Sequence, residues 1–431
     1  VEVESTPSSE GRRNVFTWES HSTGAEWSRA FSSATVRLLT WSASSDANSM
    51  WAEADGVELT SRRRDKGLLV TLQRARTVAG LRVERTRTFY EVTSSPDAEP
   101  SWKLGARMPV TSVFAQHAIA LHEAFDVELG TSVAIARGGV YASPLAQLRW
   151  LVSDQVTMSG SYARTHQFAQ SLRNAESVVG NVFPADLYVA AGASGVPVAR
   201  SDHAIVAAEY RPASSMRVAL QAYARAFDGL VVVAPRTTGP FTTNAFAVGS
   251  GVSRGASVEG AVSAARYGLM ASYGWQRVRL DYGDSSYVPD HATSHLLDGG
   301  VVFFPTATTS VRMGASAGVG RRTSIVAGGL EWESCNLLDQ GCEFGGSPHN
   351  EAGPPGATEL PPYLRIDVGV RKHWHVHVGG RDVLLALFGT VTNVFGRQNM
   401  LTYARNPSTG EITEIGMRPL SPLVIGLDWR F

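Results

Sequence analysis

The chain has 431 residues, with 39 Lys plus Arg balanced by 39 Asp plus Glu, a balance that argues against a nucleic-acid footprint or a polybasic surface. With 43% hydrophobic and 18% charged residues it has apolar material for a large ordered structure and fewer charges than a soluble protein usually carries, so a disordered chain is excluded. Its longest uninterrupted apolar run, residues 383–388, falls far short of the roughly 18 to 20 that a membrane-spanning helix requires, which excludes a helical membrane protein. The opening VEVESTPSSEGRR has neither a charged head before an apolar core nor a cleavage site. A signal peptide is therefore not expected within this chain.

Hydrophobic alternation with a period of two dominates, and helical periodicity is weak throughout. It predicts strands near 12–20, 23–30, 34–43, 66–75, 80–92, 110–121, 125–137, 143–152 and 155–164. A second set follows near 203–211, 215–226, 252–264, 267–280, 294–304, 308–319, 363–373, 382–393 and 422–431, about eighteen in all, with no domain seam between them. In the middle of the chain Ala146, Leu148, Trp150 and Val152 oppose Gln147 and Arg149, and Met216, Val218, Leu220 and Ala222 oppose Arg217 and Gln221. Near the end Leu364, Ile366, Val368 and Val370 oppose Arg365, Asp367 and Arg371. In the last ten residues Leu423, Ile425, Leu427, Trp429 and Phe431 share one face while Val424, Gly426, Asp428 and Arg430 share the other. These strands have one greasy side and one wet side; less clean are 383–393, apolar on both faces at its start, and 81–90, which carries Arg85 and Arg87 on the face begun by Leu81 and Val83.

The connections alternate as well. Tight links fall near 31–33, 76–79, 122–124, 153–154, 212–214, 266 and 305–307. Between them lie mostly long Gly/Pro/Ser-rich segments: 44–65, 93–109, 165–202, 227–251, 281–293, 320–362 and 394–421. A soluble sandwich has no reason to place all its long loops at one end, whereas outer-membrane barrels have short periplasmic turns and long outer loops. Hydrocarbon forbids an open strand edge, so a spanning sheet must close on itself. A barrel this wide leaves a polar lumen, and the Arg, Asp, Gln, Ser and Gly of the second face suit one. The expected fold class is all-β: a transmembrane antiparallel up-and-down β-barrel occupying 1–431.

Cys335 and Cys342 are the only cysteines. Their closeness suits one local disulfide in the 320–362 loop better than a metal knuckle needing four ligands, and an oxidising compartment with it. His373, His375 and His377 project from one face of an extended strand, as a chelating trio would, but their place just before Gly379 and Gly380 reads as a solvated periplasmic turn. No metal or cofactor is expected. Arg outnumbers Lys, which occurs only at 66, 103 and 372; lumen-facing Arg could fork to carboxylates or phosphates. Trp102, Tyr188, Trp332 and Phe344 read as side chains that pack the long loops together. GASVEG at 255–260 is not a nucleophile elbow, and GASAGVG at 314–320 lacks the Lys and Ser/Thr of a phosphate loop, so no enzyme is expected.

The segments YLRIDVGVRK at 363–372, GTVTNVFGRQN at 389–399 and LSPLVIGLDWRF at 420–431 resemble, in that order, the last three strands of TonB-dependent outer-membrane receptors. SPLAQLRWLVSDQVTMSGSYARTHQF at 143–168, followed by DHAIVAAEYR at 202–211, is similar to their mid-barrel region. The resemblance implies a bacterial outer-membrane receptor for a scarce bulky nutrient such as a siderophore, vitamin, glycan or peptide. Outer-membrane lipid and the barrel-assembly machinery are then partners, Trp429 and Phe431 serving as the assembly signal. That family's barrel has twenty-two strands and an internal plug through which an inner-membrane energy-coupling protein acts; about eighteen strands can be placed here, so about four strands and the plug are expected to be missing on the N-terminal side, the other readings being a naturally plugless barrel of eighteen strands or a wall completed by other outer-membrane chains. The alternative is a passive porin-like channel or structural barrel without energy coupling.

Overall fold

A computed structural model describes residues 2–4, 15–51, 57–93, 102–171, 188–191, 195–233, 246–283, 285–289, 292–323, 326–330, 348–352, 356–378, 380–405, 411–417 and 422–430. One antiparallel sheet of nineteen members dominates, two of them three-residue pieces, Glu2–Glu4 and Ser285–Tyr287. The long members are β1 (Val15–Ala30), β2 (Thr35–Trp51), β3 (Val57–Arg74), β4 (Thr77–Thr93), β5 (Trp102–His122), β6 (Phe125–Ala136), β7 (Gly139–Ser153), β8 (Val156–Gln167) and β9 (Ala199–Ala213). They continue with β10 (Met216–Val233), β11 (Phe246–Ser263), β12 (Tyr267–Tyr282), β13 (His295–Thr306), β14 (Thr309–Val319), β15 (Tyr363–Val378), β16 (Arg381–Val391) and β17 (Leu423–Arg430).

Each strand pairs with the next in the chain, the up-and-down order expected of a barrel wall. The register puts the greasy residues side by side: Val70 faces Leu81 and Leu81 faces Val113, while Ala208 faces Leu220 and Leu220 faces Val258. This shared face is exposed, with Val113 at 59%, Val206 at 62% and Leu220 at 53% of full accessibility. Apolar side chains in such a continuous girdle cannot face water. They fit a hydrocarbon layer.

At one end the links are tight throughout, from 31–34 between β1 and β2 to 379–380 between β15 and β16, with Ala75 at φ 49° and Gly380 at φ 80° supplying left-handed corners. At the other end most are longer; the shortest are 52–56 between β2 and β3 and Arg137 with Gly138 between β6 and β7, where Gly138 has φ 95°. The predicted strands 12–20 and 23–30 are one strand, β1, because Ser20, His21 and Ser22 pair without interruption with Ser45, Ser44 and Ala43. HWHVH is likewise no turn. His373, His375 and His377 belong to β15, paired with Ala386, Leu384 and Asp382, since Trp374 and Val376 between them keep the alternation going.

Among the described residues the sheet has two edges. β17 is bonded to β16 alone, and β1 is bonded on its far side only to Glu2–Glu4 over Val15, Phe16 and Thr17.

Candidate functional site: the lumen wall and its inward loop

The wet face lines the inside of the curved sheet, and many of its charges are paired there. Arg217 of β10 is held between Glu209 of β9 at 2.8 Å and Glu259 of β11 at 2.6 Å. Arg371 of β15 reaches across β16 to Asp428 of β17 at 2.8 Å, and Arg37 of β2 binds Glu26 of β1 at 2.7 Å. Arg63 lies 2.6 Å from Asp65, whose other oxygen accepts a hydrogen bond from Thr86 at 2.6 Å. Tyr223 donates to Gln276 at 3.2 Å, and Arg312 to Thr390 at 2.9 Å. This is a hydrated surface of donors, acceptors and both signs of charge, able to guide a polar solute without holding it tightly.

Small residues leave room for rings on this wall. A side chain at Gly67 of β3 would collide with the Trp41 ring of β2, and the Arg82 guanidinium of β4 lies 5.5 Å from the centre of that ring. A side chain at Gly426 would meet Phe388 at 2.3 Å. Both glycines are strand positions occupied by a neighbour's aromatic side chain, which restores the contact glycine lacks.

The segment joining β8 to β9 turns inward. Ala169–Ser171 pairs with Tyr188–Ala190, and this small hairpin seats Ala190 and Ala191 against Met108, Val110 and Ala134 on the inner faces of β5 and β6, with Tyr141, Phe168 and Val198 around them. Tyr90 and Met108 are only 1% exposed, the most enclosed large side chains of the described residues. Gln170, itself buried, donates to the carbonyls of Pro197 at 3.2 Å and Gly229 at 2.8 Å and accepts from the amide of Val231 at 3.0 Å. One amide thus ties the inward loop to the outer end of β10.

At the outer rim two neighbouring loops brace each other. Arg321 donates to the Met400 carbonyl at 3.0 Å, and the Thr323 and Thr402 hydroxyls lie 2.8 Å apart. The YLRIDVG and TNVFGRQN segments meet directly. Asp367 accepts the Asn393 amide at 2.8 Å, holding that residue at φ 51°, and Asn399 makes a two-way pair with the backbone of Leu364, both bonds at 2.9 Å. Neither contact was foreseen from sequence. For Asn393 the signal was an Asx-type residue just after a strand, which favours a left-handed turn.

Trp429 stands on the outward face of β17 opposite Leu385 and is 56% exposed. Phe431, Cys335, Cys342, Trp332 and Phe344 lie outside the described residues. Trp102 opens β5, and Tyr188 lies in the inward hairpin. His373, His375 and His377 share the inward face with Arg371; the first two rings lie 5.9 Å apart at a steep angle, and no group of three metal-ligating side chains converges among the described residues.

No family model and no curated protein sequence matches the chain. Solved structures do. The siderophore receptor PiuA of Acinetobacter baumannii aligns over 97% of this chain and 65% of its own, with TM-score 0.62 and 10% identity. A mutant of the ferric enterobactin receptor PfeA of Pseudomonas aeruginosa aligns over 90% and 57%, with TM-score 0.59 and 12% identity. The ferric-catecholate import receptor Fiu of E. coli K12 aligns over 97% and 64%, with TM-score 0.56 and 10% identity. The chain spans between about half and two thirds of the length of these receptors.

A wall greasy outside, charged inside and built of strands joined in chain order has the fold of an outer-membrane β-barrel. Within that class its fold is that of the TonB-dependent siderophore receptors, over the barrel.

Proposed function

We propose that this chain is the barrel portion of an energised outer-membrane receptor that imports an iron-chelate of the siderophore class. The observation that carries the reading is the alignment of nearly the whole chain with barrels of siderophore receptors from three bacterial genera. The lumen wall agrees with it, since paired charges and exposed hydroxyls would pass a bulky polar solute, and the paired pieces Ala169–Ser171 and Tyr188–Ala190 lie beside β5 and β6. In this reading the outer loops capture the chelate, a plug fills the lumen, and an inner-membrane protein works that plug. The chain itself supplies capture loops and wall, and no catalytic step.

The test is binding by the full-length protein in detergent across a panel of ferric catecholates, ferric hydroxamates, cobalamin and maltodextrins, followed by uptake in cells with and without the energy-coupling protein. Submicromolar binding of one ferric chelate, with uptake lost on removing the coupling protein, is expected. Large open-channel conductance in planar bilayers with no chelate bound would instead favour a passive pore.

A further inference from the structure

Several lumen cations are held by carboxylates, whereas one stretch of the outward face sets cation directly against cation. On β3 the outward residues run Leu72, Val70, Leu68, then Lys66, Arg64 and Arg62; on β4 they run Leu81, Val83, then Arg85 and Arg87. On β5 Arg107 and Lys103 extend the same rows. The register sets Arg64 opposite Arg87 and Arg87 opposite Arg107, three guanidinium groups in a single cross-strand rung, with Lys66 opposite Arg85 in a neighbouring rung.

Directly opposed residues have β-carbons about 5 Å apart, so like charges there repel. Two cations of the patch are matched by carboxylates, Lys103 by Glu91 at 3.1 Å and Arg62 by Asp46 at 3.8 Å. Arg64, Lys66, Arg85, Arg87 and Arg107 are all exposed and have no carboxylate within ion-pair distance among the described residues. Folding has assembled a repulsive cluster that nothing within the described residues neutralises.

Its position names the missing anion. The cations begin immediately beyond Leu68 and Val83, at the upper end of the lipid-facing girdle. A girdle about 25 Å tall takes roughly 10 residues of tilted strand, so the rung sits at headgroup level on the loop side of the membrane. The pattern recurs elsewhere on the wall. Arg254 of β11 and Arg277 of β12 face each other on the outward side, just beyond Ala256 and Trp275. A site for a soluble solute would not need to repeat around the outside of the barrel, whereas a leaflet of anionic headgroups meets the whole circumference.

We propose that Arg64, Lys66, Arg85, Arg87 and Arg107 form a docking site on the outside of the barrel for the phosphate groups of a membrane lipid headgroup in the outer leaflet. Guanidinium groups fork to phosphate through two parallel hydrogen bonds, and three in a row match a headgroup carrying more than one phosphate. The site rests on the barrel's setting in the membrane and is independent of which solute the lumen passes.

The test is native mass spectrometry of the delipidated full-length protein in detergent. The probes are lipid A, which carries two phosphates, its dephosphorylated form, and inorganic phosphate. Lipid A is expected to remain bound, the dephosphorylated form at least tenfold more weakly, and inorganic phosphate not at all. The variant R64Q/R87Q/R107Q should lose lipid A at least tenfold, while R64K/R87K/R107K, which keeps the charge, should retain most of it. Heat-modified mobility on gels confirms that each variant is folded. Equal retention of lipid A by the Gln variant, equal retention of the dephosphorylated lipid by the native protein, or capture of inorganic phosphate in preference to lipid A would each overturn the proposal.

Discussion

Gln170 shows how much one side chain can hold. Its amide satisfies three backbone groups around the inward loop, two carbonyls and the Val231 amide, and an apolar replacement would leave buried partners unmet at about 1–3 kcal/mol. Gln170→Leu is therefore expected to release the 168–198 segment while leaving the wall intact. Limited proteolysis checks this: faster cleavage within that segment with unchanged heat-modified mobility is the expected outcome. Trp429 acts in the opposite place, on the outward face of the last strand. Trp429→Ser should slow assembly into the outer membrane without altering chelate affinity of the protein that does assemble, measured as folded fraction over time after induction. Cys335 and Cys342, if joined, should react with a thiol reagent only after reduction.

At the scale of the strand, the two faces differ sharply in what they tolerate. Leu220 points outward near the middle of the girdle, and Gln221 beside it points inward. An arginine on the lipid face near the bilayer midplane costs about 2–4 kcal/mol, so Leu220→Arg should destabilise by about that amount and Gln221→Arg by far less, read from unfolding in vesicles. The same asymmetry explains which parts of the fold were legible. The membrane halves of the strands, such as 143–152 and 215–226, were readable because lipid on one side and water on the other impose strict alternation. Their outer extensions were not. β3 starts at Val57 and not near 66, and β10 runs on to Val233; there both faces meet water, so Arg62 and Arg64 carry no hydrophobic signal. The break expected near residue 21 failed for the same reason, since a polar stretch can be strand wherever its backbone finds partners. Of the cationic rung the sequence showed only Arg85 and Arg87 on the greasy face of the 80–92 strand; the rung itself exists only through register, because Arg64, Arg87 and Arg107 are far apart in sequence.

The whole molecule is a wall with an outside and an inside. Lipid does not tolerate unpaired strand edges, so β1 and β17 need strand partners in the membrane. Hydrogen exchange in nanodiscs should show β17 amides as slow as those of β10 when the full-length protein is assembled, and fast for residues 15–430 alone. The central claim, that hydrocarbon bathes one face of this sheet while water fills the other, is tested most directly by scanning nitroxide labels through 216–226 of β10 in a bilayer, with Cys335 and Cys342 replaced by serine. Labels at 218, 220, 222 and 224 should be reached by oxygen and shielded from a water-soluble nickel chelate, with 217, 219, 221 and 223 the reverse. Equal access of the nickel chelate to both sets, or a period near 3.6, would contradict the account.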